Sequence, residues 1–439
     1  MSIDFTCACG KTLHAPDGAG GKKARCPKCQ AVVRVPEVEI GLEGGEYDLH
    51  DPLPTPVARA AAAPPPPPIS KAPPAPVAVL PALSPAAVQR VSPVRRFTYL
   101  LLLLALIPLI LSTFHRSEDS SDIIVRSIEA HPEVAAQFAA LLEHREEIGG
   151  EITEDDALDL LPGHRTDDAL ISHDSHAHWL MALGTGVLFF AFLLLAFQRA
   201  AKYFKGLLFA GIFTATVGIV LLLVFQFAAY SLPFIIPRGI IGLIILIVKF
   251  IGLSYRLADD PNNGFLLSFV GFTCGVGLCE EITKAIPLLL RIKPAPGVDD
   301  PTWNSLLLWG LASGFGFGIA EGIMYSGRYY NGIYGADIYL IRFLSCVALH
   351  AIWSGSAGIM MYRHQGDILG VDSNWGYWAR VIQVVWVPMV LHGLYDTLLK
   401  KEMNALALVV ALASFGWLAF LIERQHGREP LGSAAASAV

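Results

Sequence analysis

The chain has 439 residues, of which 54% are hydrophobic and only 16% charged, with a formal net charge of −6. Soluble domains carry about 25% charged residues. The low charge, a mean hydropathy of +0.51 and repeated apolar runs of about twenty residues exclude a soluble fold and point to an all-α polytopic membrane protein. The net charge says little as a total, because sixteen Asp and Glu fall within residues 115–177 against four Arg and no Lys.

Residues 1–36 contain Cys7-Ala8-Cys9 and Cys26-Pro27-Lys28-Cys29, two close pairs separated by sixteen residues. That spacing predicts a tetrahedral four-cysteine zinc site, a zinc ribbon built from Cys7, Cys9, Cys26 and Cys29, each pair forming one knuckle. The first pair has one intervening residue instead of two, which leaves His14 as a substitute ligand. So short a unit cannot build a core of its own, and structural zinc would supply its folding energy. The pattern resembles the short zinc ribbons at the N-termini of bacterial membrane and signalling proteins. The other cysteines, Cys274, Cys279 and Cys346, lie in apolar segments, so there is no disulfide framework and a reducing cytosol suits the N-terminus. Lys11, Lys22, Lys23, Arg25, Lys28 and Arg34 read as a solvated face rather than a nucleic-acid surface.

Residues 37–94 are rich in Pro and Ala, with Ala61 to Pro68 reading AAAPPPPP. This is an extended, coreless tether. The membrane domain follows at 95–427, with a short tail at 428–439. Its first apolar run, about Phe97 to Phe114, starts too late and is too long for a signal peptide. The acidic insert 115–177 carries helical periodicity from Pro132 to Ile148 (Val134, Phe138, Leu141, Leu142), which predicts a small helical subdomain. His173, His176 and His178 follow, a polar cluster before a span with metal ligation as the sharper alternative.

Further apolar runs occupy about 178–198, 205–230, 234–254, 264–290, 304–326, 339–362, 379–399 and 404–423, giving eight to nine transmembrane helices. The run after Pro233 is a candidate for a re-entrant segment. Arg95 and Arg96, with Arg199, Lys202 and Lys205, place the N-terminus and the loop after the second span in the cytosol of a multi-pass cell-membrane protein. The acidic insert then faces outward.

Four spans keep polar groups that lipid-facing helices would not. Gly277 to Leu290 holds Glu280, Glu281 and Lys284, with Lys284 one helical turn from either carboxylate. A charge at the bilayer centre costs roughly 2.5–3.5 kcal/mol on insertion scales, so such groups persist where they are paired, watered or used. The next span carries Glu321 beside Gly314, Gly318 and Gly322, a four-residue repeat that bares one face for close helix approach. A third holds His350, and the fourth holds His392 and Asp396 on one face at i, i+4. Singly, each reads equally well as a structural ion pair or a helix-end group near water. Together, carboxylates and two histidines in an apolar bundle are what is needed to activate a water and stabilise an oxyanion.

Glu280-Glu281-x-x-Lys284, Phe317-x-x-x-Glu321, His350 and His392-x-x-x-Asp396, one per helix and in this order, resemble the PrsW intramembrane proteases, relatives of the type II CAAX prenyl endopeptidases. The resemblance covers about 264–400. It implies peptide-bond hydrolysis in or near the bilayer on membrane-anchored proteins, such as anti-sigma-factor-like regulators. It also implies roles: Glu280 as the base that activates water, Glu281 sharing or positioning that role, and Lys284 holding the pair's charge. His350 would polarise the scissile carbonyl or support the oxyanion, and His392, oriented by Asp396, would help bind water or oxyanion. Glu321 stands where the CAAX enzymes have histidine, which argues against prenyl-protein processing. These groups also make a possible second divalent-metal site, but Lys284 among them would repel a cation, which favours a glutamate-activated water. The rival readings are an ion-coupled transporter, for which the expected internal duplication is missing, and a non-catalytic CAAX-like scaffold, which would leave the acid cluster dispensable.

Overall fold

The computed structural model describes residues 2–6, 11–16, 21–26, 32–36, 93–113, 118–197, 199–231, 239–293 and 299–426. It divides into two units, Met1–Ala86 and Ala87–Val439. In the first, β1 (Ser2–Thr6) pairs antiparallel with β2 (Thr12–Pro16), and β3 (Lys23–Arg25) with β4 (Val32–Arg34). Phe5, Leu13, Ala15, Cys26 and Val35 form its small apolar cluster. Of the expected zinc ligands, Cys26 is buried, while Cys7, Cys9 and Cys29 lie outside the described residues. His14 is exposed, with its Nδ1 2.6 Å from Asp4 Oδ1. The expected tether, up to residue 92, and the tail from 427 also lie outside the described residues.

The second unit begins with two short helices, α1 (Pro93–Leu104) and α2 (Ile107–Ser112). The expected first span is therefore interrupted. Pro108 has no N–H to continue a helix, but is well tolerated in the first turn of a new one. Ser345 fastens the break, its hydroxyl donating to Ala105 O at 2.9 Å and accepting from Leu109 N at 3.2 Å.

Three helices then build the acidic insert: α3 (Ser120–Ala130), α4 (Pro132–Ile148) and α5 (Glu154–Leu160). The periodicity expected at 132–148 appears as α4, which starts at Pro132 and stops at Gly149, whose φ of 67° is the left-handed cap most residues avoid. Thr153 and Asp156 form a reciprocal capping box at the start of α5. Ile123, Ile128, Val134, Leu158 and Leu161 make the insert's core, and Ile333 joins them from outside the insert.

Among the described residues, eight helices are long and apolar enough to cross a membrane. They are α6 (His178–Ala196), α7 (Ala200–Ser231), α8 (Ile240–Asp259), α9 (Phe265–Arg291), α10 (Trp303–Tyr330), α11 (Ala336–Leu369), α12 (Asn374–Lys400) and α13 (Asn404–His426). The run after Pro233, a re-entrant candidate, supplies α8, a 20-residue helix. The loop joining α10 to α11 carries the insert: Thr166 N donates to Gly332 O at 2.8 Å, Gly332 N to Ile171 O at 2.9 Å, and Leu170 N to Tyr334 O at 3.0 Å.

At the centre, α10 and α11 pack against each other more extensively than any other pair. Their most apolar windows are 78% and 72% buried, against 28% for α6. The glycine repeat of α10 is the reason. A Cβ on Gly314 would lie 2.3 Å from His350 O, and one on Gly318 would lie 2.8 Å from Val347 Cα. These backbones touch because neither glycine has a side chain.

Gly314→Ala therefore forces α10 and α11 apart and is expected to lower stability by about 1–3 kcal/mol. Gly416→Ala, where a Cβ meets nothing within 4 Å, is the control and should be neutral or slightly stabilising. Unfolding of the two variants in detergent compares them directly, and equal stabilities would refute the close-packing account.

Candidate active site

Four helices bring the site together, and three of them are distorted beside it. A π-helical turn at Phe272–Gly277 precedes Glu280 in α9, one at Ser326–Tyr330 follows Glu321 in α10, and one at Ile341–Cys346 precedes His350 in α11. Such turns shift the phase of a helix by about one residue and recur at functional sites. In α12 the approach is again made by glycine, since a Cβ on Gly393 would lie 2.4 Å from Thr273 Oγ1, and one on Gly277 2.8 Å from Met389 O. These contacts draw the start of α9 against the middle of α12, so His392 meets the glutamate pair.

The seven polar residues singled out in the spans converge. Lys284, whose side chain is fully buried, lies at the hub. Its Nζ is 2.6 Å from Glu281 Oε1, donates to His350 Nδ1 at 3.0 Å, and stands 3.6 Å from Glu280 Oε2. The ring of Phe317 lies under the ammonium at 4.6 Å, a cation–π contact that strengthens away from water. Ser313 ties the backbone here, its hydroxyl donating to Lys284 O at 2.7 Å and pairing with Thr214 Oγ1 at 2.8 Å.

The two histidines are held differently. His392 Nδ1 lies 3.0 Å from Glu281 Oε1, while its Nε2 faces Asp396 Oδ2 at 3.4 Å and Glu280 Oε2 at 3.6 Å. Glu281, rather than the expected Asp396, thus makes the close hydrogen bond that orients His392. Trp353 stacks on the His392 ring at 4.4 Å and fixes its plane. His350 Nδ1 accepts from Lys284, which makes Nε2 the protonated nitrogen, and Nε2 donates to Glu321 Oε2 at 2.6 Å. The two imidazoles meet edge to face at 5.3 Å.

Glu280 is the exception in this network. Its Oε2 and the Oε2 of Glu281 are both buried without a hydrogen-bond partner, but Glu281 is held through Oε1 by Lys284 and His392, whereas Glu280 has these two groups no nearer than 3.6 Å. Glu280, His350 and His392 each offer one ligand atom within 4.8 Å of one another, and they form the one such grouping among the described residues. His173, His176 and His178 do not form another: His178 Nδ1 lies 3.2 Å from Ser175 O and 3.2 Å from Asn331 Nδ2. Two imidazoles and a carboxylate are the donor set of catalytic zinc sites, and a carboxylate holding the second nitrogen of a ligand histidine is their usual outer support. The orphaned Glu280 oxygen and the Glu281–His392 bond fit that pattern, whereas Lys284 at 3.6 Å and the engagement of His350 Nε2 by Glu321 are what a cation would have to displace or tolerate.

Arg342 belongs to the same neighbourhood and is missing from the polar residues that the sequence singles out. Its guanidinium lies 3.6 Å from Glu321 Oε1, donates from Nε to Tyr330 OH at 2.9 Å, and rests on the Tyr325 ring at 3.8 Å. The signal is present, as an arginine in the apolar run Leu340-Ile341-Arg342-Phe343-Leu344, eight residues before His350 and so on nearly the same helix face. A cavity of about 1280 Å³ reaches from Glu280, His350, His392 and Asp396 past Arg342 to Arg126 and Asp168 of the insert.

The bundle and its converged carboxylates and imidazoles define a polytopic membrane protein with the groups of a hydrolase. Residues 174–422 match the family model described as PrsW family intramembrane metalloprotease, and the chain belongs to that family. The match takes in α6 to α8 and most of α13 as well as the expected core at 264–400. No curated protein and no solved structure matches the chain.

If Lys284 is the ionic hub, Lys284→Met leaves Glu281 buried without its cation and should cost about 3–5 kcal/mol. The double variant Lys284→Met/Glu281→Gln should recover much of that loss. Equal stability of Lys284→Met and the unaltered protein in a denaturation series would show that the pair carries no such energy.

Proposed function

We propose that this protein is an endopeptidase of the cell membrane that hydrolyses peptide bonds of membrane-anchored proteins, anti-sigma-factor-like regulators among them, at a site formed by Glu280, His350 and His392. The observation that carries the reading is Glu280, whose buried Oε2 is unpartnered and faces His392 Nε2 at 3.6 Å, while Glu281, with an equally orphaned Oε2, is engaged through Oε1. A buried carboxylate oxygen with no donor is costly unless something that visits the site uses it. A water is one such visitor.

In this reading Glu280 takes the proton of the attacking water and returns it to the leaving amine. Glu281 is already committed to Lys284 and His392 and acts by fixing the His392 ring. His392 presents Nε2, and His350 turns its Nε2 from Glu321 towards the scissile carbonyl, Arg342 remaining beside Glu321 as a partner. Asp396 contributes negative charge beside His392. The donor set and the family description favour a divalent cation held by Glu280, His350 and His392. His350 would then give a nitrogen lone pair to the cation instead of a hydrogen bond to the carbonyl, and the cation would supply the polarisation of the carbonyl and the acidification of the water. A second reading, in which Glu280 alone activates water, rests on the Lys284 ammonium at 3.6 Å, which already neutralises the pair.

The N-terminal zinc site remains part of the proposal. The two cysteine pairs fall, in sequence, at the segments joining β1 to β2 and β3 to β4, as knuckles would. A cytosolic N-terminus follows from the arginines before the first apolar run.

Glu280→Gln and His350→Ala are each expected to abolish cleavage of a single-span reporter, a loss of at least about a hundredfold, with the fold retained by thermal unfolding. Undiminished cleavage by folded Glu280→Gln would remove it from the chemistry. Metal analysis separates the two sites: Cys26→Ser/Cys29→Ser should lose the ribbon's zinc and keep a second metal, which His392→Ala then removes. A chelator that strips all metal and leaves cleavage intact would favour the glutamate-only reading.

A further inference from the structure

The Arg342 guanidinium is caged between aromatic rings at the wall of the cavity. Its plane is set by Tyr325 at 3.8 Å and Tyr330 at 5.6 Å, and Nε–H is used by Tyr330 OH at 2.9 Å. The remaining donors of a guanidinium number about four. The carboxylate nearest to them, Glu321 Oε1, is 3.6 Å away and outside hydrogen-bond distance, while its other oxygen is taken by His350. The side chain is 19% exposed, and it lines the cavity that holds Glu280, His350 and His392. Both helices that form the cage are π-distorted there, at Ser326–Tyr330 and at Ile341–Cys346. An ion pair that served Glu321 alone would not need a guanidinium whose plane is fixed at the cavity wall.

We propose that Arg342, with Tyr325 and Tyr330, is a subsite that grips a backbone carbonyl of the extended substrate one or two residues from the scissile bond. This rests on the protease reading above. Charge decides the class of ligand. Glu321 already neutralises Arg342 and would repel a second carboxylate, whereas a neutral carbonyl oxygen accepts two N–H groups without that penalty. Distance decides the place. Glu321 bridges Arg342 and His350 with contacts of 3.6 and 2.6 Å, so the guanidinium sits roughly one to two peptide units from His350, at about 3.3–3.6 Å per extended residue. Arg342 is thus a substrate-positioning residue, whose fork holds the chain that Glu280 attacks.

The test uses the full-length protein in liposomes with a single-span reporter peptide that the unaltered protein cleaves, made with one thioamide in turn at each position flanking the cleaved bond. Sulfur is a poor acceptor, so one flanking thioamide should raise KM about tenfold for the unaltered protein. Arg342→Gln should raise KM about tenfold with the ordinary peptide, change kcat less than about threefold, and be indifferent to that same thioamide. Arg342→Lys keeps the charge but not the fork and should recover less than half of the loss, and it serves if Arg342→Gln does not fold. Additive losses at every flanking position, or a fall in kcat with KM unchanged, would overturn the subsite and leave Arg342 as a partner of Glu321. Continued cleavage by Glu280→Gln would instead strike the protease reading itself, so the two failures are distinguishable.

Discussion

Everything in the bundle's centre depends on one fully buried ammonium. Lys284 is sealed from solvent, so its charge must be met by protein, and its partners come from three directions: the carboxylates of its own helix, the imidazole of His350 on α11, and the ring of Phe317 on α10. Taking such a cation out of water costs several kcal/mol, and only close, multiple partners offset it. That requirement fixes the phase of α9 against α10 and α11. It also occupies Oε1 of Glu281, which in turn holds His392, and so leaves Glu280 as the carboxylate with no partner closer than 3.6 Å. The proposed division between a supporting glutamate and a reactive one rests on where the lysine sits.

Small residues make that geometry reachable. Gly314 and Gly318 let α10 lie against the backbone of α11 at His350, and Gly277 and Gly393 do the same between α9 and α12. The bundle is polar where four helices nearly touch and apolar on its outer surfaces, where Leu195, Phe227 and Leu266 are each more than 70% exposed. In lipid that exposure is natural. The insert adds a polar cover by hydrogen-bonding to the loop between α10 and α11, the two helices that supply Glu321, Arg342 and His350, and is thereby tied to the cavity wall.

Much of this is legible in the sequence because hydropathy and buried charge are local signals. Eight of the apolar runs form long helices, α4 occupies 132–148, and the seven intramembrane polar residues meet. What escapes depends on distance in space. The first apolar run reads as continuous, but Pro108 divides it. His392 reads as tied to Asp396 by their i, i+4 spacing, yet the close hydrogen bond comes from Glu281, 111 residues away, because α12 approaches α9 through glycines that spacing does not reveal. Arg342 is overshadowed by the more conspicuous His350, although an arginine in an apolar run meets the same criterion that selects Lys284.

Glu280, His350 and His392 are proposed to act as one hydrolytic centre that holds a metal. X-ray absorption at the metal edge, on full-length protein carrying Cys26→Ser and Cys29→Ser and still able to cleave its reporter, tests this most directly. The expected result is a first shell of nitrogen and oxygen with the multiple-scattering signature of two imidazoles, reduced to one in His392→Ala. A sulfur-containing shell, or active protein with no metal bound, would contradict it.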